Sequence, residues 1–230
     1  MNTAERILAI SKITSIKSYL EIGVSEGETF NNLDIDYKVA VDPHFQFDVS
    51  SFQTEHVRFY QMTSDKYFLN FAGKDIFDLI FIDGLHIFQQ TFRDFINALF
   101  HMSHKSIVII DDVYPNDIFS SLVNDHQRFR RLNNPENSDL SWHGDVYKTI
   151  FAIHDLCPKI SYITINWGQG NPQAICFIKP RIDFKQKFKS IESIERLTYF
   201  DLLNNLDVLN LVSEEEAFEI INNFISDEDR

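Results

Sequence analysis

A formal charge of −13 over 230 residues repels nucleic-acid phosphates, which are ordinarily met by a clustered basic face, and so excludes DNA or RNA as a first partner. A hydrophobic content of 44% with 22 Phe, 7 Gly and 6 Pro describes a folded chain with one large core, not a disordered one. Cys157 and Cys176 alone build neither a disulfide framework nor a four-thiolate zinc site, and with no signal-like start in "MNTAERILAISKI" and no run of spanning length, a soluble cytoplasmic protein without a membrane span is expected.

The first strand is read at 19–24, "YLEIGV". In "LEIGVSEGET", Gly23 and Gly27 stand between that strand and a predicted helix, so backbone can approach a ligand there and helix amides can face it. A dinucleotide loop prefers G-x-G-x-x-G around a pyrophosphate. Here position 25 is Ser, and Glu21 places negative charge where a pyrophosphate would be repelled. A cationic or zwitterionic ligand suits the loop better; the plainer alternative is an ordinary tight turn. The second strand, "YKVAVD" at 37–42, ends in Asp42. A carboxylate about 20 residues after a glycine loop is placed to grip a ribose diol, although it could equally cap the turn before Pro43. Together the two features favour a nucleoside without a phosphate cradle.

Further strands are read at 57–61, 77–83, 106–111, 160–166 and 174–179. Several are nearly unbroken apolar runs, as in strands covered on both faces. Between them, 86–101 carries Phe88, Phe92, Phe95, Ile96, Leu99 and Phe100 at helical spacing, a stripe for core packing. Alternating strands and helices predict an α/β, Rossmann-like doubly wound sheet with its ligand crevice at the carboxyl ends of the strands. The last two strands are separated only by "WGQGNPQ", too short for a parallel crossover and adequate for an antiparallel hairpin. Lys185, Lys187 and Lys189 form a solvated basic cluster. After Pro180, two amphipathic helical stretches and no strand are expected, an appendage over 181–230 to a domain at 1–180; either the sheet domain or a second copy offers it a surface. The closing "SDEDR" is expected to fray.

The chemistry gathers at the fourth and fifth strands. Asp83 ends one, the pair Asp111 and Asp112 ends the other, and this topology brings neighbouring strand ends together. Three close carboxylates repel one another unless a cation neutralises them, and an all-oxygen cluster suits Mg2+, Mn2+ or Ca2+ better than zinc. His86 would stand near the start of the next helix, where the positive dipole end favours the neutral imidazole, a competent general base. The plainer readings are helix caps for the aspartates and a satisfied surface or core histidine.

"YLEIGVSEGET", "VAVDP", "YQMTSD", "FDLIFIDGLHIFQQTFRDFINAL", "IVIIDDVYP" and "WHGDVYK" resemble the successive motifs of class I S-adenosylmethionine-dependent methyltransferases. The nearest likeness is to bacterial macrocin-type sugar O-methyltransferases and, more distantly, to catechol O-methyltransferases. It extends over about residues 15 to 180. The resemblance implies a seven-stranded sheet whose last strand is antiparallel. It places Glu21, Gly23, Ser25 and Gly27 at the methionine side of the cofactor, Asp42 at the ribose, and Ser64 and Asp65 at the adenine. Asp83, Asp111 and Asp112 would hold a divalent ion, expected to be Mg2+, with His86 as the base. The similar proteins often carry His where Asp111 stands and Tyr-Glu where Phe88 and Gln89 occur. Trp142, Gly144, Asp145 and Lys148 match a recurring segment of unassigned role. The implied activity is methyl transfer to a hydroxyl of a sugar, glycan or small natural product. The competing readings are a nicotinamide-dependent nucleotide-sugar oxidoreductase and a non-catalytic cofactor-binding relative.

Overall fold

A computed structural model describes residues 1–124, 129, 132–133, 141–166, 171–182 and 184–228. All seven expected strands form: β1 Ser18–Ile22, β2 Tyr37–Asp42, β3 Val57–Gln61, β4 Phe77–Ile82, β5 Met102–Ile110, β6 Ile160–Ile165 and β7 Ala174–Ile178. An eighth, β8 Leu211–Val212, joins them, and the sheet order is β3-β2-β1-β4-β5-β7-β6-β8. Strands β1 to β5 pair in parallel, and β7 runs antiparallel to both β5 and β6. The hairpin inferred from the short connection is therefore present, although residues 167–170 of that connection lie outside the described residues.

The eighth strand departs from the expectation of a purely helical segment after Pro180. It adds to the free edge of β6 in parallel, fixed by Thr164 N–H to Asn210 O at 3.1 Å and Asn166 N–H to Val212 O at 3.0 Å. Two residues carry no readable periodicity, so the pattern of the sequence gives no sign of it. The helices of this segment are short except the last: α5 Ile191–Glu195, α6 Tyr199–Leu203 and α7 Glu214–Glu228. The expected fraying of "SDEDR" is met by a helix that continues to Glu228, and the last two residues lie outside the described set.

Strand alternation sorts the core into two layers. Leu20, Ile22, Val39, Val41, Ile80, Ile82, Val108 and Ile110 face the layer that contains α3 (Phe88–Leu99) and α4 (Tyr147–Leu156). Tyr19, Ala40, Leu79, Phe81, Ile107 and Ile109 face the opposite layer, built from α1 (Thr3–Thr14) and α7 through Ile7, Ile10, Ala217 and Ile221. The stripe on α3 packs as expected, with Phe88 and Phe95 buried, but Phe100 at its C-cap is 77% exposed. One predicted helix is missing. After Gly27 the chain makes only a 3-10 turn at Phe30–Asn32. Asn31, Asn32, Asp34 and Asp36 are weak helix formers, the Asn32 amide donates back to Glu28 O at 2.7 Å, and the Lys38 ammonium takes the Phe30 and Leu33 carbonyls at 2.8 Å each.

Candidate active site

Three chain segments leave the sheet at one level. Gly23 N–H donates to Val41 O at 2.9 Å, Asp83 N–H to Ile22 O at 2.8 Å and Asp111 N–H to Ile82 O at 3.0 Å, each continuing the parallel ladder one step past the strand. The packing of β1 on β4 at this edge needs a glycine. Gly23 has φ +85°, and a Cβ there would sit 2.0 Å from the Asp83 carbonyl oxygen.

Beside it lies a cavity of about 700 Å³ lined by Glu21, Gly23, Ser25, Asp42, Ser64, Asp65, Asp83 and His86, among others. Asp42 shapes this cavity as well as facing it. Its Oδ2 accepts the Val24 and Ser25 N–H groups at 2.8 and 2.9 Å, and its Oδ1 accepts His44 N–H at 2.7 Å. The Glu21 carboxyl is pushed well above its usual range by burial, although the Tyr19 hydroxyl, donating at 2.6 Å, opposes this. Gly27, expected at the ligand, does not line the cavity. It has φ +77° and is packed against Asn31 and the Phe47 ring; with no helix behind it, the loop closes over protein at this point.

Ser64 and Asp65 open α2 (Ser64–Asn70) on the far wall. Two residues that the motif reading did not single out join them. The Gln90 amide donates to Ser64 Oγ, Asp65 Oδ1 and Asp94 Oδ1 at 3.2, 3.2 and 3.0 Å. Burial pushes the Asp94 carboxyl up to about 6, against hydrogen bonds from Ser64 and Gln90. The available signal was a polar i, i+4 pair, Gln90 and Asp94, on a helix whose core stripe is aromatic.

At the other end of the cavity Asp83, His86 and Asp112 bring one donor atom each within 4.8 Å of one another. His86 Nε2 lies 3.3 Å from Asp83 Oδ1 and 3.0 Å from Asp112 Oδ2. Its Nδ1 lies 2.6 Å from the Trp142 carbonyl oxygen, which can only accept, so Nδ1 carries the proton. The expected neutral imidazole is overturned. Burial lowers the His86 pKa, but the hydrogen bonds and charges of Asp112 and Asp83 more than reverse it, to about 11. The helix end cannot compete, because α3 begins only at Phe88. Burial raises Asp83 to about 6, opposed by its bond to His86 and reinforced by the charge of Asp112. Asp112 is buried too, yet the bond to His86 and the His86 and His143 charges hold it below its usual range.

Asp111 does not join the group. Its Oδ1 accepts the Asn171 amide at 2.6 Å and the Asp112 N–H at 2.8 Å, and its Oδ2 accepts the Gln173 amide at 3.0 Å. Asp111 shares strand parity with Ile107 and Ile109, so its side chain leaves on the α1 side of the sheet. Asp112 escapes that alternation through a left-handed backbone, φ +59°, which Asp tolerates better than most residues. The three-carboxylate cluster read from the sequence is thus two carboxylates and an imidazole.

The unassigned "WHGDVYK" segment holds His86 in place. The Trp142 ring lies 4.9 Å from the imidazole, centroid to centroid. Gly144, with φ +56°, lets the chain pass where a Cβ would stand 1.8 Å from the His86 carbonyl oxygen. Asp145 Oδ1 accepts Phe88 N–H at 2.7 Å, capping α3 from a distance because Ile87 offers no side-chain cap. Asp145 also pairs with Lys148 at 2.9 Å, and Lys148 donates to Glu195 O at 2.8 Å, tying the post-180 segment to this wall.

Among the described residues no helix is long and apolar enough to cross a membrane, and no curated protein matches the sequence. Residues 20–113, which carry the glycine turn, Asp42, Asp83 and the Asp111–Asp112 pair, match a family model described as a methyltransferase domain. The fold is similar to that of the O-methyltransferase from Bacillus cereus solved with SAH, at 16% identity over 78% of this chain and 82% of that one, TM-score 0.52. It is similar also to the SAH-bound methyltransferase PaMTH1 of Podospora anserina, at 15% identity over 76% and 78%, TM-score 0.51. At these identities the likeness speaks for the fold. Residues 20–113 thus match a methyltransferase-domain model by sequence, and they lie in a Rossmann-like fold similar to that of these two SAH-bound methyltransferases.

Proposed function

We propose that the protein transfers the sulfonium methyl of S-adenosylmethionine to a hydroxyl of a sugar, glycan or small natural product, assisted by a divalent ion, Mg2+ or Mn2+, between Asp83 and Asp112. The observation that carries this reading is the Asp83–His86–Asp112 group, two members of which, Asp83 and His86, line the same cavity as Glu21 and Asp42. Its donor set fits a hard cation: two carboxylates converge on one position, and the imidazolium of His86 supplies the positive charge they require. A bound divalent ion would orient an acceptor hydroxyl and make it more acidic.

The chain's own groups supply the rest. A sulfonium already has a good leaving group, so the main task is to hold the nucleophile in line with the methyl. Glu21 and Asp42 line the cavity where an amino-acid and ribose moiety would lie, while Ser64, Asp65 and Gln90 line the adenine end. His86 keeps its Nδ1 proton on Trp142 O, so Nε2 is the atom that takes the acceptor proton. Asp83 and Asp112 would hold the ion, and with their charge so engaged they would no longer hold the His86 pKa near 11, which would leave Nε2 able to accept that proton.

The test is a pair of titrations on the intact protein and on His86→Ala, following Mn2+ by electron paramagnetic resonance and S-adenosylhomocysteine by calorimetry. A base role leaves Mn2+ affinity intact or stronger in the variant, since a competing cation is gone. Loss of Mn2+ binding there would make His86 a ligand instead, and absence of binding in the parent protein would end the metal reading. Thermal stabilisation by NAD and not by S-adenosylhomocysteine would restore the oxidoreductase reading.

A further inference from the structure

A buried line of hydrogen bonds joins both terminal helices to Asp112. Arg6 on α1 and Glu214 at the start of α7 are 1% and 5% exposed, and Arg6 Nε donates to Glu214 Oε1 at 2.8 Å. Arg6 Nη1 donates to Gln173 Oε1 at 2.6 Å and to Asn171 O at 2.9 Å. Because a guanidinium can only donate, the amide of fully buried Gln173 has one possible orientation: oxygen to Arg6, nitrogen to Asp111 Oδ2 at 3.0 Å and to Thr3 Oγ1 at 2.9 Å. That leaves Asp111 Oδ1 to accept Asp112 N–H and the Asn171 amide, which also reaches Asp112 Oδ1 at 3.0 Å. These bonds surround the one residue at this edge of the site held at φ +59° on β5's exit, a conformation that persists only where its surroundings over-determine it.

We infer that Arg6, Gln173 and Asp111 are positioning residues for Asp112: the docked terminal helices fix the polarity of the Gln173 amide, and through Asp111 that polarity holds Asp112 in the left-handed turn that aims its carboxylate at Asp83 and His86. The inference rests on the metal reading above. It removes Asp111 from the ligand set and gives it a supporting role instead, as partners of ligating carboxylates commonly have.

Gln173→Glu tests it, since this change keeps the acceptor for Arg6, leaves the Thr3 hydroxyl able to turn and donate, and replaces the donor to Asp111. Electrostatics alone predicts tighter Mn2+ binding, because a negative charge is added. The positioning role predicts the opposite sign, a loss of about 10- to 100-fold in Mn2+ affinity. Asp111→Asn mismatches the same contact from the other side and should weaken binding too. In the double variant the amide introduced at position 111 donates to the carboxylate introduced at position 173, the net charge returns to that of the parent, and Mn2+ affinity should recover towards the parent value. Paramagnetic resonance titrations with Mn2+ alone give these affinities, and S-adenosylhomocysteine binding and the thermal midpoint report folding. Arg6→Lys, which keeps the charge and loses the fork, is the second probe should Gln173→Glu fold poorly, with weaker Mn2+ binding expected. Unchanged or tighter binding in Gln173→Glu, or a double variant as weak as the weaker single one, overturns the inference. A parent protein that binds no Mn2+ removes the metal reading itself, and the inference with it.

Discussion

The two ends of the cavity are built by different means. At the end proposed for the cofactor, the Gly23–Asp42 side is local: Val24, Ser25 and the pin that holds them, Asp42, lie within 18 positions of one another, and one carboxylate organises the turn. The metal end is assembled from residues 83–86, 111–112, 142–145 and 171–173, joined by contacts such as His86 to Trp142 and Asn171 to Asp112 that span 56 and 59 positions. A local device tolerates changes elsewhere in the chain, whereas a distributed one has several places at which a single substitution undoes it.

The sharpest way to separate the two ends is to remove the charges that meet at the metal end. Asp83→Asn and Asp112→Asn are expected to abolish measurable turnover while S-adenosylhomocysteine affinity, read by calorimetry, stays close to that of the parent. Asn is well suited to the left-handed backbone at 112, so a loss there reports the charge and not the fold. His86→Ala should slow the methyl-transfer step by roughly two to four orders of magnitude in single-turnover assays. If these variants lose cofactor affinity instead, the two ends are not separable.

Two glycines offer the next contrast, because they flank the 83–86 segment from opposite sides. Gly23→Ala drives a methyl group into the Asp83 carbonyl and Gly144→Ala drives one into the His86 carbonyl, both at positive φ. Each should cost more than about 1 kcal/mol of stability, seen as a lower thermal midpoint. The damage should divide by end: Gly23→Ala weakens S-adenosylhomocysteine binding, and Gly144→Ala weakens Mn2+ binding and turnover. An equal effect of both on both ligands would make the segment a single unit.

The pH dependence should also differ between the ends. His86 is raised to about 11 by Asp112 and Asp83, so its attraction to the two aspartates is fully present below the unfolded value of about 6.5 and fades as pH rises through its folded one. A cation seated between Asp83 and Asp112 disfavours the imidazolium by like charge, so binding releases protons and tightens with rising pH, by up to about tenfold per unit between about pH 6 and 9. Below about 6, protonation of Asp83 weakens binding further. Calorimetry in buffers of different ionisation enthalpy counts the protons; none released would mean that His86 does not change its charge on binding, which would end its role as a base freed by the ion.

The same contrast explains what the sequence could disclose. Seven strands, the terminal hairpin and the Gly23–Asp42 turn are written in short apolar runs and in spacings of a few residues, and those features depend on neighbours in the chain. The unreadable parts depend on distant partners. Nothing in the stretch around Asp111 signals that Gln173 and Asn171 will claim it, although its parity with Ile107 and Ile109 does point its side chain towards α1. The protonation of His86 departs from expectation because a helix dipole can be read locally, whereas the facing Asp112 arrives from another strand. Phe30–Asn32 fails to extend into a helix because the Lys38 ammonium takes the Phe30 and Leu33 carbonyls, a tertiary override of pattern.

The smallest effect belongs to the cofactor end's surface. Arg93 pairs with Asp65 at 2.8 Å, with the two side chains 54% and 44% exposed. Such a pair is screened by water and salt and contributes at most about 1 kcal/mol. Arg93→Met is therefore expected to shift the thermal midpoint by a few degrees at most and to leave Mn2+ binding unchanged. Asp65 keeps its hydrogen bond from Gln90 at 3.2 Å, so the adenine wall retains its shape and S-adenosylhomocysteine affinity should vary little with ionic strength. A large loss of cofactor affinity in Arg93→Met would show that the wall at Ser64 and Asp65 is held by this exposed pair and not by the Gln90 amide, and the contrast between a locally pinned turn and a distributed group would lose its force.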